Sequence, residues 1–235
     1  MNEKLRRDAD AIVAASIRAV QPDEAVRRAL EGREFPGRVR LVSVGKAAWQ
    51  MAKCAADLLG SRIEAGVVVT KYGHSKGPIA NFDIREAGHP VPDDNSFAGA
   101  QAAIDLVRGL TPQDTVLFLV SGGGSALFEK PLVSGGELAD ITRQLLACGA
   151  DIVEINTLRK RLSAVKGGKF ARLCAPARVY SIVLSDILGD PLDMIASGPA
   201  YPDSSTAADP KALIAHYGLK LSDRALALME EETPK

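Results

Sequence analysis

The sequence predicts an α/β fold in three layers, a mostly parallel sheet with helices packed on both faces. Three observations carry that expectation. Short β-rich apolar runs alternate with helical stretches along most of the 235 residues, the pattern of strands joined by crossover helices. Val116 to Val120 are bulky and apolar at every position, which suits a strand buried on both faces rather than one with a wet side. Glycines follow such runs directly, Gly45 after Val39 to Val44 and Gly122 to Gly124 after Val120. Open α/β sheets bind their ligands at those strand ends.

Each element has its own warrant. Glu3 to Val20 reads as an amphipathic helix with acids among its bases and no long apolar run, so it is not a signal peptide. A second helix runs to Glu31 from Pro22, a residue suited to a first helical turn. Residues 1–35 are expected to pack as helices on a sheet domain spanning 36–220. There, Val39 to Val44 is the first strand, and Gly45-Lys46-Ala47-Ala48 opens a helix reaching about Gly60. Gly66 to Thr70 and Phe82 to Glu86 are strands, Asn95 to Gly109 is a helix, and Asp114 to Val120 is the strand ahead of the triple glycine. Helices near Gly136 to Cys148, Asp151 to Ser163 and Gly168 to Cys174 precede a buried strand, Val179 to Ser185. A short helix follows from Pro210. Residues 221–235 end in the charged, proline-containing MEEETPK and are expected to begin an interdomain linker.

Composition narrows the function. Lys plus Arg and Asp plus Glu number 29 each, so no overall basic field advertises nucleic acid and any anion site must be local. No stretch approaches the length of a membrane span. Cys54, Cys148 and Cys174 are odd in number, widely spaced and set in apolar helical contexts, which fits reduced core thiols in a cytoplasm.

Candidate chemistry gathers at the strand ends. Ser121-Gly122-Gly123-Gly124-Ser125 can approach a phosphate or carboxylate with bare backbone while its serines add hydroxyl donors. The alternative is a flexible glycine turn. The loop is no standard nucleotide fingerprint, because a GxGxxG beginning at Gly122 meets Leu127 and a Walker loop needs a Gly-Lys pair. Gly45-Lys46 supplies such a pair, but Arg40 stands where the upstream glycine is required. Helix amides, the positive end of the dipole and the Lys46 ammonium are expected to converge there on an anion. Residues 156–172 hold Asn156, Arg159, Lys160, Arg161, Lys166, Lys169 and Arg172 and no acid. Helical spacing would put Arg159, Ser163 and Lys166 on one side, and a solvated basic face is the commoner fate of such a run. Asp186 and Asp190, after the strand ending at Ser185, could hold Mg²⁺ or accept a proton from a substrate hydroxyl, with turn capping as the plainer role. His89, in a loop stiffened by Pro90 and Pro92, could contact a ligand or serve as a structural hydrogen-bonding residue.

Taken in order, VSVGKAA at 42–48, EAGHPVPDDNS at 86–96, LVSGGGSAL at 119–127, NTLRKRLSAVKGGK at 156–169 and SDILGDPLDMIASGP at 185–199 resemble the N-terminal domain of class II glycerate kinases, the glycerate 2-kinase family. The resemblance runs from about residue 5 to the end of the chain. It implies ATP-dependent, Mg²⁺-assisted phosphorylation of D-glycerate to 2-phosphoglycerate, by a Rossmann-like domain followed by a second one, with the active site in the cleft between them. By the same resemblance Lys46 and Asp186 are candidate catalytic residues, with Asp186 and Asp190 as candidate metal carboxylates. The Ser121 to Ser125 loop would serve nucleotide phosphate, and Arg159 and Lys166 could hold phosphate or the glycerate carboxylate; Gly45 is a further candidate for the nucleotide, and Asn156 and Ser185 for the substrate. Glycerate and ATP are then the expected partners, with no nucleic acid or membrane, and a homodimer stays open. The family's C-terminal domain is expected to be missing from these residues, which would leave the chain inactive alone. A module that binds nucleotide or an acidic metabolite without turnover stays open, as does a sugar-phosphate domain. Hydroxypyruvate reduction is disfavoured by the missing dinucleotide fingerprint.

Overall fold

The computed structural model describes residues 2–185 and 187–235. Its 5-stranded sheet is parallel throughout, in the order β3-β2-β1-β4-β5. The strands are β1 Val39–Val44, β2 Ile63–Lys71, β3 Phe82–Ala87, β4 Thr115–Val120 and β5 Arg178–Val183. The order reverses between β1 and β4, the place where such sheets open a crevice at their carboxyl ends.

The central strand β4 is buried at every position, as its unbroken apolar run demands. Leu117 and Leu119 face one layer with Leu41 and Met51, packed under α2 (Pro22–Leu30) and α3 (Ala48–Leu59). Val116, Phe118 and Val120 face the other with Ala100, Ala103 and Phe170, under α4 (Asp94–Leu106) and α8 (Lys169–Cys174). Phe118 and Phe170 meet with ring centroids 4.9 Å apart, a contact that adds roughly 0.5–1.5 kcal/mol beyond area burial. The β4-to-β5 connection opens with the short α5 (Gly124–Leu127) and carries a further helical cluster. Leu138, Ile141 and Leu145 of α6 (Gly135–Ala147) and Ile155, Leu158 and Leu162 of α7 (Ile152–Leu162) pack there. Ala225, Leu228 and Met229 of a late helix, Asp223–Met229, close the cluster.

Four expectations are corrected. The first helix, α1 (Glu3–Ala19), has no buried residue, and its stripe of Leu5, Ile12, Ile17 and Val20 is more than half exposed. Packing on the sheet domain therefore holds for α2, through Val26 and Leu30, and not for α1. The helix expected at Gly45 begins at Ala48, because Gly45 turns at φ 116 and the next two amides bond elsewhere. Residues 221–235 contain the packed helix Asp223–Met229, and Thr233 is buried with its hydroxyl donating to Asp203 at 2.7 Å. An apolar stripe within the charged ending decides this, so the segment is not linker-like. Cys148 is exposed, whereas Cys54 and Cys174 are buried, and all three are free. Burial pushes the Cys174 thiol up to about 12. Among the described residues no helix is long and apolar enough to cross a membrane.

Candidate active site

The loops after β1 and β4 are stitched together at the switch point. Lys46 N–H donates to the Gly122 carbonyl at 2.9 Å, and Ala47 N–H donates to Ser121 Oγ at 3.0 Å. Ser121 in turn donates its hydroxyl to the Val44 carbonyl at 3.4 Å and is 3% exposed. A Cβ on Gly45 would stand 2.3 Å from Ser121 Oγ, so glycine is required for this approach. Two expectations change. Ser121 holds the loops in register and has no hydroxyl left for a ligand, and the amides of Lys46 and Ala47 are already used.

What the stitching leaves free lies just beyond. The amide N–H groups of Gly122, Gly123, Gly124 and Ser125 donate to no acceptor among the described residues. Gly123 takes φ 90, and a Cβ there would meet the His89 imidazole at 2.9 Å and Lys46 Cγ at 3.3 Å. Lys46 is exposed and its ammonium has no hydrogen-bond or ion-pair partner among the described residues. Burial, and after it the Lys46 charge, pulls the His89 imidazole below its ordinary value, so the ring is neutral at neutral pH. Four consecutive free amides, an unpaired ammonium and a neutral imidazole at one loop can receive an anion with several oxygens.

The basic stretch 156–172 is largely interior. Lys166 is fully buried, donating to the carbonyls of Ser125 and Phe128 at 2.8 Å each and pairing with Glu129 at 3.2 Å. Burial pushes its ammonium down to about 8 against the pull of Glu129. Arg159 donates to the same Ser125 carbonyl at 3.0 Å and lies 3.9 Å from Glu129. These two expected substrate contacts instead grip the glycine loop from beneath. They do not share a helix face, since α7 stops at Leu162 and Ser163 is extended. Lys160 pairs with Asp203 at 2.9 Å, and Lys169 bonds the carbonyls of Lys160, Arg161 and Ser163 at the end of α7. The acids absent from the run come from other elements, so the expected solvated field is neutralised inside the fold.

Asn156 is also buried, accepting from Ser197 Oγ at 3.0 Å. Ser197 lies 3.1 Å from Ser125 Oγ, and having given its proton to Asn156 it accepts from Ser125. That spends the second expected hydroxyl donor too. Ala196 and Ser197 both take positive φ, 53 and 63, strain that places Ala196 Cβ 2.6 Å from where a Cβ of Gly124 would be. Ser185 is exposed and bonds within its own turn, to Ile187. Asp190 is exposed, with φ 49. Asp186, expected as catalytic and metal-binding, lies outside the described residues. Among the described residues no group of three or more His, Cys, Asp or Glu is placed to hold a metal.

Sequence reasoning missed Glu129, whose carboxylate is wholly buried with neither oxygen hydrogen-bonded among the described residues. An acid placed directly after the apolar Ala126-Leu127-Phe128 was the available signal. It left His89 between two roles, and the structure puts the ring at the glycine loop.

Residues 8–230 match the family described as domain of unknown function DUF4147. The chain is 54% identical to a D-glycerate 2-kinase of Thermotoga maritima over 99% of its own length and 56% of that protein. It is 43% identical to an Agrobacterium vitis protein named, provisionally, as a hydroxypyruvate reductase, over 98% of the chain and 52% of that protein. It superposes with a TM-score of 0.93 on the crystal structure of a glycerate kinase from Thermotoga maritima, 54% identical, covering 99% of this chain and 56% of that one. The chain thus spans about half the length of the curated relatives it matches.

Proposed function

The chain belongs to the glycerate 2-kinase family through its DUF4147 domain, and from that footing we propose that it supplies one wall of a kinase cleft that phosphorylates D-glycerate at its 2-hydroxyl from ATP in the cytoplasm. The observation that carries the reading is the row of amides from Gly122 to Ser125, free among the described residues, beside Lys46, whose ammonium has no partner among them either. Gly124 is buried, and a buried amide without a partner costs free energy that an anion's oxygens would recover.

Phosphoryl transfer asks the protein mainly to position reactants and neutralise developing charge. The loop amides seat the transferring end of the triphosphate, and Lys46 stabilises charge on the phosphoryl oxygens. Lys166 and the Ser125–Ser197–Asn156 relay keep the loop in place without touching substrate, and Arg159 holds the Ser125 carbonyl from the side. Asp186, which follows β5, orients or deprotonates the glycerate hydroxyl. Mg²⁺ commonly arrives on substrate phosphates with one or two carboxylate contacts. The exposed Asp190 suits such a contact and the described residues form no closed cage. When bound, the ion offsets phosphate charge.

The test is a coupled assay on a polypeptide of the relatives' full length, with glycerate and ATP in one arm and hydroxypyruvate and NADH in the other. Lys46→Ala and Asp186→Asn should each lower glycerate-dependent kcat by roughly 10²-fold or more, the scale of losing one preorganised electrostatic contact. Turnover within a few-fold of the parent would remove both assignments, and NADH oxidation would replace the reaction class.

A further inference from the structure

Beside the glycine loop lies a groove of about 430 Å³, walled by Pro90, Val91, Pro92 and Phe97 on one side and by Ala139 and Leu146 of α6 on the other. Two anchors tie it to the free amides. Pro90 follows His89, whose ring stands 2.9 Å from where a Cβ of Gly123 would be. Arg159, which also lines the groove, reaches over to donate to the Ser125 carbonyl at 3.0 Å. Phe97 can lie close against α6 because Gly135 carries no side chain, a Cβ there falling 3.1 Å from its ring. Val91 and Leu146 remain 65% and 64% exposed, apolar surface turned towards the slot and solvent.

The chemistry of the walls selects the occupant. Glycerate is three carbons bearing a carboxylate and two hydroxyls, and it gains little from carbon walls. A flat heterocycle gains much, because its faces bury against proline, aromatic and aliphatic surface while a guanidinium stacks on it or meets its ring nitrogens. We infer that this groove seats the base of the purine nucleoside triphosphate whose phosphates occupy the Gly122 to Ser125 amides. The inference rests on the phosphoryl-donor reading above.

Calorimetry with ATP and with inorganic tripolyphosphate tests it, on the parent chain and on Ala139→Trp. Ala139 is exposed, so the indole fills the groove without entering the core. ATP affinity should fall about ten-fold or more in the variant while tripolyphosphate affinity stays within about two-fold, because the base loses its slot and the phosphates keep theirs. In the parent chain, nuclear Overhauser contacts should run from adenine H2 and H8 to the methyl groups of Val91 and Leu146. Unchanged ATP affinity in the variant, or adenine contacts to methyls elsewhere, overturns the inference. ATP and tripolyphosphate binding the parent equally overturns the groove alone and leaves the phosphate seat standing. Neither binding at all overturns both.

Discussion

Charged residues at this sheet edge divide by what surrounds them rather than by type. Lys46 is exposed and unpartnered among the described residues, whereas Lys160, Lys166 and Lys169 are committed to internal acceptors. Asp203 shows the structural kind most clearly. It receives Lys160 Nζ at 2.9 Å, the Ser205 backbone N–H at 3.0 Å and Thr233 Oγ1 at 2.7 Å. Burial works to raise its carboxyl, but these donors outweigh it and hold the group down at about 2. Asp203→Asn leaves the buried Lys160 ammonium with Asp193 alone, at 3.5 Å, and should cost about 2–3 kcal/mol by urea unfolding, less than for a charge left wholly unpaired. The pH dependence has a fixed sign. The folded value lies below the unfolded one, so the Asp203 contribution is complete above pH ~4 and disappears as pH falls through about 2. Melting temperatures of parent and Asp203→Asn should therefore converge on acidification, and a constant gap down to that pH would assign the loss to packing.

At the scale of elements, the two loops at the switch point play unequal parts. The β1 loop gives the Lys46 and Ala47 amides to the β4 loop, and the β4 loop's own amides from Gly122 to Ser125 find no acceptor among the described residues. Gly123→Ala tests the second part. Its backbone at φ 90 disfavours a side chain, and the added methyl collides with His89. A stability loss of about 1–3 kcal/mol should come with weaker tripolyphosphate binding by calorimetry, and undiminished binding would move the anion elsewhere. The helix Asp223–Met229 makes a separate claim. Leu228 is 3% exposed in the α6–α7 cluster, so Leu228→Ala should cost about 2–5 kcal/mol. A loss under about 0.5 kcal/mol, the usual range for a surface position, would return 221–235 to a linker.

At the scale of the molecule, the free amides and Lys46 face the open carboxyl edge of the sheet, and the chain covers 56% of its Thermotoga maritima relative. On the proposed kinase reading, the 235 residues taken alone are expected to bind ATP yet turn over glycerate at below about one hundredth of the rate of a polypeptide of the relatives' length, since the open carboxyl edge leaves the phosphate seat in contact with water. Equal rates would place the whole active site on this chain. The strands were legible because β-rich apolar runs must be buried wherever they fall. Val39–Val44 is seen where the periodicity puts it, and the triple glycine follows β4 as expected. The ordered motifs likewise carried the family, since they are properties of the chain alone. Partnership was not legible, because burial and pairing depend on residues far away in sequence. Nothing within 156–172 announces that Glu129 and Asp203 neutralise it, and nothing in Ser121 announces that its hydroxyl is spent on β1. The sequence determined the parallel α/β architecture and which loops reach the ligand edge. Tertiary structure alone decided which donors there stay free, because a hydrogen-bonding group is available to a ligand only when the fold has not already satisfied it.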